Sequence, residues 1–265
     1  MTMILWWAFL TSLAFLTRLP LPRIQRYDES IAALSVIFYP LVGAIIGVLL
    51  CLFVGVLIGF YPHANSGLVA ALVLTLWTYL SGGLHLDGLA DSADAWVGGL
   101  GQRDKTLAIM KDPQSGPMGV TVIVLVLLIK WAALEALFQA LLQSMLNGPF
   151  WWPVFASIVI VPILARAVVI GVLATTPYVR EAGLGKNLLA GVTPIRVWIT
   201  LVIVALLTVL LVPKSAILLL LVWLTVAAMA RAAMLKRLQG CTGDTLGATI
   251  ELEEAILLVA LALAI

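Results

Sequence analysis

Apolar residues run through this chain in seven long blocks, approximately 31–60, 66–84, 118–142, 151–176, 194–212, 214–230 and 246–265, with polar residues confined to the stretches between them. Blocks of this length, without the alternation of a half-exposed strand, predict helices long enough to cross a bilayer. The first is long enough to tilt, or to bend around Pro40 and Gly43. A further apolar stretch, 3–17, is short for a span and carries Trp6 and Trp7 near its start, which predicts an interfacial or re-entrant helix. No basic residue precedes it, so it does not read as a cleaved signal peptide. The pattern as a whole predicts an all-α, polytopic membrane bundle of about seven transmembrane helices plus that short N-terminal helix. No shift in composition divides residues 1–265, which read as a single transmembrane domain.

Composition agrees. A mean hydropathy of +1.16 with 63% hydrophobic and 11% charged residues excludes an ordinary soluble domain. A net charge of +2 gives no reason to expect nucleic-acid binding. Cys51 falls inside an apolar block and Cys241 in a polar loop, so no disulfide is expected between them.

Charge then orients the bundle. Twelve of the 15 Lys and Arg residues fall in four alternate segments. These hold Arg18, Arg23 and Arg26; Arg103, Lys105 and Lys111; Arg180, Lys186 and Arg196; and Arg231, Lys236 and Arg237. The opposite side carries only Lys214, and Lys130 and Arg166 lie inside apolar blocks. The positive-inside rule makes the basic side cytoplasmic, an orientation compatible with the bacterial inner membrane expected for this chain. Every Asp and Glu except Glu135 also falls on or near that side, whereas the opposite loops, 61–65 and 143–150, are short and nearly uncharged. Transporters usually keep polar groups near the midplane. An enzyme working at the inner face fits this asymmetry better.

The chemistry concentrates in SGGLHLDGLADSADAW, Ser81 to Trp96. On a helix Asp87, Asp91 and Asp94 fall within about 60° of one another and form one carboxylate face. Clustered carboxylates near a bilayer are costly, and a divalent cation removes the penalty. Oxygen-only ligands favour magnesium or manganese over zinc. Gly82 and Gly83 are placed to break the helix before His85, a candidate catalytic or substrate-binding side chain.

A second polar run, GCTGDTLG at 240–247, opens the last apolar block. Asp244 and Glu251 lie about 20° apart on a helix while Glu253 points away. The two carboxylate clusters suggest a pair of metal ions on a pyrophosphate, held by Asp87, Asp91, Asp94, Asp244 and Glu251. Gly88, Gly243 and Thr245 are candidate substrate contacts, because glycine permits close backbone approach and a helix N-terminus offers free N–H groups. Arg103, Lys105 and Lys111 in the 97–117 connection and Arg180 in the 177–186 loop are candidate phosphate contacts.

Plainer explanations compete at every position. The aspartates also suit a solvated helix face, Asp244 and Glu251 a favoured helix N-terminus, and the basic residues topology alone. Glu253 and Glu254 read as interfacial. Lys130 and Glu135 are poorly spaced for a helical pair, so Lys130 pairs elsewhere or snorkels. Arg166 suits a structural role and a phosphate contact equally.

HLDGLADSADAW from His85, IMKDPQSGPMG at 109–119 and GCTGDTLGA at 240–248 together resemble the cobalamin synthase family, also called adenosylcobinamide-GDP ribazoletransferases. The resemblance covers nearly the whole chain, including FLTRLPLP at 15–22, and departs at Gln114, where a basic residue is expected. It implies a late step of vitamin B12 assembly. Adenosylcobinamide-GDP is joined to α-ribazole or its 5′-phosphate, and a ribose 3′-hydroxyl attacks the cobinamide-side phosphate to release GMP. It further implies two magnesium ions (manganese as a substitute), Asp94 or else His85 as proton acceptor, and an active site facing the cytoplasm. Partners would be the two small-molecule substrates and the lipid bilayer, with a homo-oligomer or an association with other cobalamin-assembly enzymes left open. Three alternatives stand. A CDP-alcohol phosphotransferase-like phospholipid synthase would carry Arg where this chain has Asp91. A divalent metal-ion transporter predicts acids at mid-membrane, and a structural membrane subunit needs no carboxylate triad.

Overall fold

The computed structural model describes residues 2–147, 152–180, 188 and 193–264. Eleven α-helices are found among them. They are α1 (Thr2–Leu16), α2 (Glu29–Ser35), α3 (Tyr39–Phe60), α4 (Ser66–Ser81), α5 (Leu84–Gly98), α6 (Arg103–Ile109), α7 (Pro117–Asn147), α8 (Trp152–Thr175), α9 (Pro194–Leu211), α10 (Ala216–Leu238) and α11 (Gly243–Leu263). Each of the seven expected blocks is a helix. Glu181 and Lys186 of the 177–186 loop lie outside the described residues.

Local chemistry sets the ends. Asp28 accepts the Ile31 N–H at 3.0 Å to start α2, and Asn65 accepts the Leu68 N–H at 3.1 Å to start α4. Proline opens α7 and α9, where its missing N–H costs nothing. A short 3-10 turn, Val36–Phe38, joins α2 to α3, so that 29–60 runs on as one long apolar unit.

Five units are long and apolar enough to cross a membrane: Glu29–Phe60, Pro117–Met145, Trp152–Thr175, Pro194–Leu211 and Ala216–Leu238. A sixth arises if α4 and α5 are counted together, although they are bent 87° to one another. The chain is thus a multi-pass helical membrane protein with five or six such units where the sequence pattern gave about seven. The difference has two causes. Gly82 and Gly83 take left-handed φ values of 65° and 68° and turn α5 away from α4. And α11, though 21 residues long, carries four acidic residues. Helix α1 has 15 residues, about 22 Å, and packs Leu10, Leu13 and Leu16 inward.

Helix α8 is the hub, with most of its residues buried. It meets α3 where Gly43 and Gly47 present no side chain. A Cβ on Gly43 would fall 2.2 Å from the Pro162 carbonyl oxygen, and one on Gly47 2.6 Å from the Val159 Cα. Lipid is as apolar as leucine, so close packing at such small residues, more than the hydrophobic effect, holds these helices together.

The basic segments converge on one end of the bundle. Arg18 N–H donates to Leu80 O at 2.8 Å, Cys241 N–H to Pro177 O at 2.8 Å and Val179 N–H to Cys241 O at 3.0 Å. Arg103 Nε donates to Leu238 O at 2.8 Å, and Arg180 Nη2 to Met110 O at 3.2 Å. The grouping read from charge is therefore spatial.

Candidate active site

The two polar motifs meet where α5 crosses α11. A Cβ on Gly88 would lie 2.8 Å from the Asp244 carbonyl oxygen, and one on Gly247 3.3 Å from the His85 Cα. Any larger residue at Gly88 would push the helices apart. Gly88 thus serves the approach of one motif to the other, in addition to lining the cavity between them.

That cavity has a volume of about 220 Å³. Asp87, Asp244 and Arg180 mark its outer part, with Gly243 and Tyr178 beside them. Asp87 is exposed, and its carboxylate accepts no hydrogen bond from the described residues. Arg180, on the strand-like segment 177–180 pinned to Cys241, pairs with Asp244. The inner wall is apolar and buried: Leu16 of α1, Tyr39 of α3, Val169 of α8 and Ile250 of α11. Phe15 stacks on Tyr39 with ring centres 6.2 Å apart. His85 belongs to this buried part, and neither of its ring nitrogens has a hydrogen-bond partner.

Asp91 sits one turn along α5 from Asp87. Burial pushes its carboxyl up to about 6, and the charges of Asp87 and Asp244 add to this against the opposing pull of Arg180. Carboxylates gathered this closely are a hard, oxygen-only donor set. Among the described residues no three His, Cys, Asp or Glu side chains converge into a ready cage for a metal ion. Magnesium does not require one, because it commonly binds through one or two carboxylates plus substrate phosphates and water. The donor set at Asp87, Asp91 and Asp244 therefore fits such an ion, with Asp244 shared with Arg180.

The structure places the other expected site residues elsewhere. Asp94 turns to α7: its two oxygens accept the Gly116 N–H at 2.6 Å and the Gly119 N–H at 2.9 Å. A Cβ on either glycine would fall 2.5 Å from that carboxylate. The DPQSGPMG string thus encloses Asp94 at a helix N-terminus, where a negative charge is favoured. Thr245 forms a capping box with Thr242, which uses its hydroxyl within α11. Arg103 holds the last carbonyl of α10, while Lys105 and Lys111 are exposed. Gln114 sits in the exposed loop, its N–H bound to Asp112.

Glu251 keeps its helical alignment with Asp244 but lies about 10 Å further into the bundle. There its carboxylate meets Lys130 at 2.5 Å. Lys130 also binds Glu254, Arg166 pairs with Glu254, and Trp77 Nε1 donates to Glu254 at 3.2 Å. Two cations and two carboxylates make a charge-balanced cluster below the cavity, in which Arg166 Nε and Nη2 have no hydrogen-bond partner among the described residues. The acids are therefore not all at the basic end, and neither expected interfacial acid is interfacial: Glu254 is buried in this cluster, and Glu253 is buried without a hydrogen-bond partner among the described residues. Charge balance was the available signal: two cations inside apolar blocks need two anions, and α11 is the helix that supplies them. A site fully neutralised by fixed partners is poorly suited to carry a metal ion across, which removes the main attraction of a transporter.

The family profile described as cobalamin-5-phosphate synthase matches residues 8–262. The chain is 45% identical over 257 residues to the adenosylcobinamide-GDP ribazoletransferase of Pseudomonas syringae pv. syringae strain B728a, covering 96% of this chain and 98% of that one. It is 46% identical over 259 residues to the protein of that name from Pseudomonas entomophila strain L48, with 96% and 98% covered. The protein of that name from Pseudomonas aeruginosa strain PAO1 is 45% identical over 256 residues, with 97% and 98% covered. No solved structure matches the chain.

Proposed function

Because this chain belongs to the cobalamin-5-phosphate synthase family, we propose that it joins adenosylcobinamide-GDP to α-ribazole or its 5′-phosphate and releases GMP. The observation that carries the reading is the meeting of Asp87, Asp244 and Arg180 at one cavity, brought from three distant segments, with Asp91 close enough behind them to feel all three charges. A pyrophosphate between two bulky groups requires this arrangement: anionic oxygens on metal and on guanidinium, and a carboxylate near the attacking hydroxyl.

Magnesium, with manganese as its substitute, would be held by Asp87, Asp91 and Asp244 and would supply positive charge against the pyrophosphate. Arg180 binds phosphate oxygens as the GMP leaving group gathers charge, exchanging Asp244 for the substrate. The proton of the ribose 3′-hydroxyl passes to a carboxylate at the mouth. Asp87, exposed there and free of hydrogen bonds from the described residues, would have one oxygen for the metal and the other for this proton, whereas both oxygens of Asp94 already accept N–H groups. His85 lies deeper, with the apolar wall. The twelve clustered basic residues support an inner-membrane location with the mouth facing the cytoplasm.

The test is magnesium-dependent release of GMP from adenosylcobinamide-GDP plus α-ribazole 5′-phosphate by the purified protein. Wild type turns over, and Asp91→Asn, still folded, falls on the order of 10²–10³-fold. Full activity in Asp91→Asn would remove Asp91 from the site. An inactive wild type would refute the transferase itself.

A further inference from the structure

His85 has no partner, although it is 3% exposed and both ring nitrogens are out of water. Burying an imidazole with neither nitrogen bonded costs the desolvation of both polar groups with nothing in return. Histidines that only pack are normally satisfied, so one left open on a cavity wall points to a ligand atom.

The surroundings define that ligand. Leu16, Tyr39, Val169 and Ile250 form the cavity wall beside it, Asp87, Asp244 and Arg180 stay at the outer part, and the buried charges of Arg166, Glu254 and Lys130 lie within electrostatic reach behind it. Apolar cavities of about 150 Å³ take a benzene. At about 220 Å³ this one has room for a planar bicyclic ring with its polar appendages at the mouth.

Resting on the transferase reading above, we propose that the inner cavity is the seat of the base of α-ribazole, and that His85 donates an N–H to the one ring nitrogen of that base not bonded to ribose. The two substrates carry three bases, adenine on the adenosyl group among them, and the wall chooses between these, since adenine like guanine has several polar edge atoms to satisfy. Guanine presents donors and acceptors along most of its edge, and burying it here would leave most of them unpaired. A dimethylbenzimidazole presents one acceptor nitrogen and two methyl groups, which match one imidazole and an apolar wall. Its ribose then points outward, toward Asp87, Asp91 and Asp244. The same contact sets specificity, because a site built to hydrogen-bond one atom rejects an analogue lacking it far better than an apolar pocket rejects a methyl group.

The test reads binding, without turnover, on the full chain in phospholipid nanodiscs. Affinities for α-ribazole and for its analogue with C–H in place of that ring nitrogen are measured on wild type, His85→Phe and His85→Gln. Wild type favours α-ribazole about tenfold, His85→Phe binds both equally, and His85→Gln regains part of the preference. A preference kept in His85→Phe, or absent from wild type, overturns the assignment. So does a loss of GDP affinity in His85→Phe with ribazole binding unchanged, which would seat guanine there instead. Val169→Ala, which trims the wall without touching a polar atom, is expected to improve binding of a base with bulkier ring substituents; no improvement refutes the wall as its seat. A wild type that discriminates between the nucleosides but releases no GMP would refute the transferase and leave the base seat standing.

Discussion

Two groups of carboxylates flank α11, one around Asp244 and one about 10–15 Å further along the helix at Glu251 and Glu254, and they solve the same electrostatic problem in opposite ways. Glu251 and Glu254 are buried, and every charge is answered by Lys130, Arg166 or Trp77. Asp87 and Asp244 line the cavity with Asp91 close by, and among the described residues Arg180 is the cation that answers them. A balanced cluster is complete without a ligand and reads as structure. An unbalanced one is complete only with a ligand, and reads as function.

The sharpest way to break the comparison is to unbalance the buried cluster. Glu254→Gln leaves Arg166 short of its anion and is expected to cost about 3–5 kcal/mol, seen as a large fall in thermal stability in detergent. The double variant Arg166→Met/Glu254→Leu removes charge of both signs and recovers most of that loss. Equal stability in the single variant and wild type would mean that the cluster holds nothing together.

At the mouth the signs reverse. The folded state holds the proton of Asp91 up to about 6, above its ordinary 3.8, so it binds more protons than the unfolded chain between those values. Stability contributed by this group is therefore present at low pH and lost as pH rises through that window. Asp91→Asn should raise the melting temperature of the metal-free protein above pH 6, with the gain fading as pH falls toward 4. Magnesium should shrink the gain, and a variant less stable than wild type at neutral pH would contradict the repulsion. The smallest effect is expected at Lys105, exposed and outside the cavity. Lys105→Ala should leave melting unchanged and raise KM by no more than severalfold, measured at low and at physiological salt.

The sequence carried much of this, for identifiable reasons. Apolar block length marked the helices, the Gly82–Gly83 pair marked the break before His85, and the grouping of basic residues marked the end where the polar segments meet. Depth was harder to read. A helical wheel places Asp244 and Glu251 on one face but does not say that seven residues of rise carry Glu251 down to Lys130. Nor does spacing say where a carboxylate spends its lone pairs. Asp94 is on the expected face, yet its partners are Gly116 and Gly119, fixed only when α7 packs beside α5. Arg103 is the same case: a cation in a loop looks free until the carbonyl of Leu238 arrives from the far end of the chain.

Helix α11 also carries information along its own length. Glu254 is clamped by two cations on two different helices, and Asp244 is ten residues up the same rigid rod. Sliding α11 by one turn, about 5.4 Å, would have to break both clamps at once. The buried cluster therefore acts as a vertical stop. It fixes how far Asp244 stands above the membrane core, and so keeps this half of the site level with Asp87 and Asp91 without any contact between the two sets of charges.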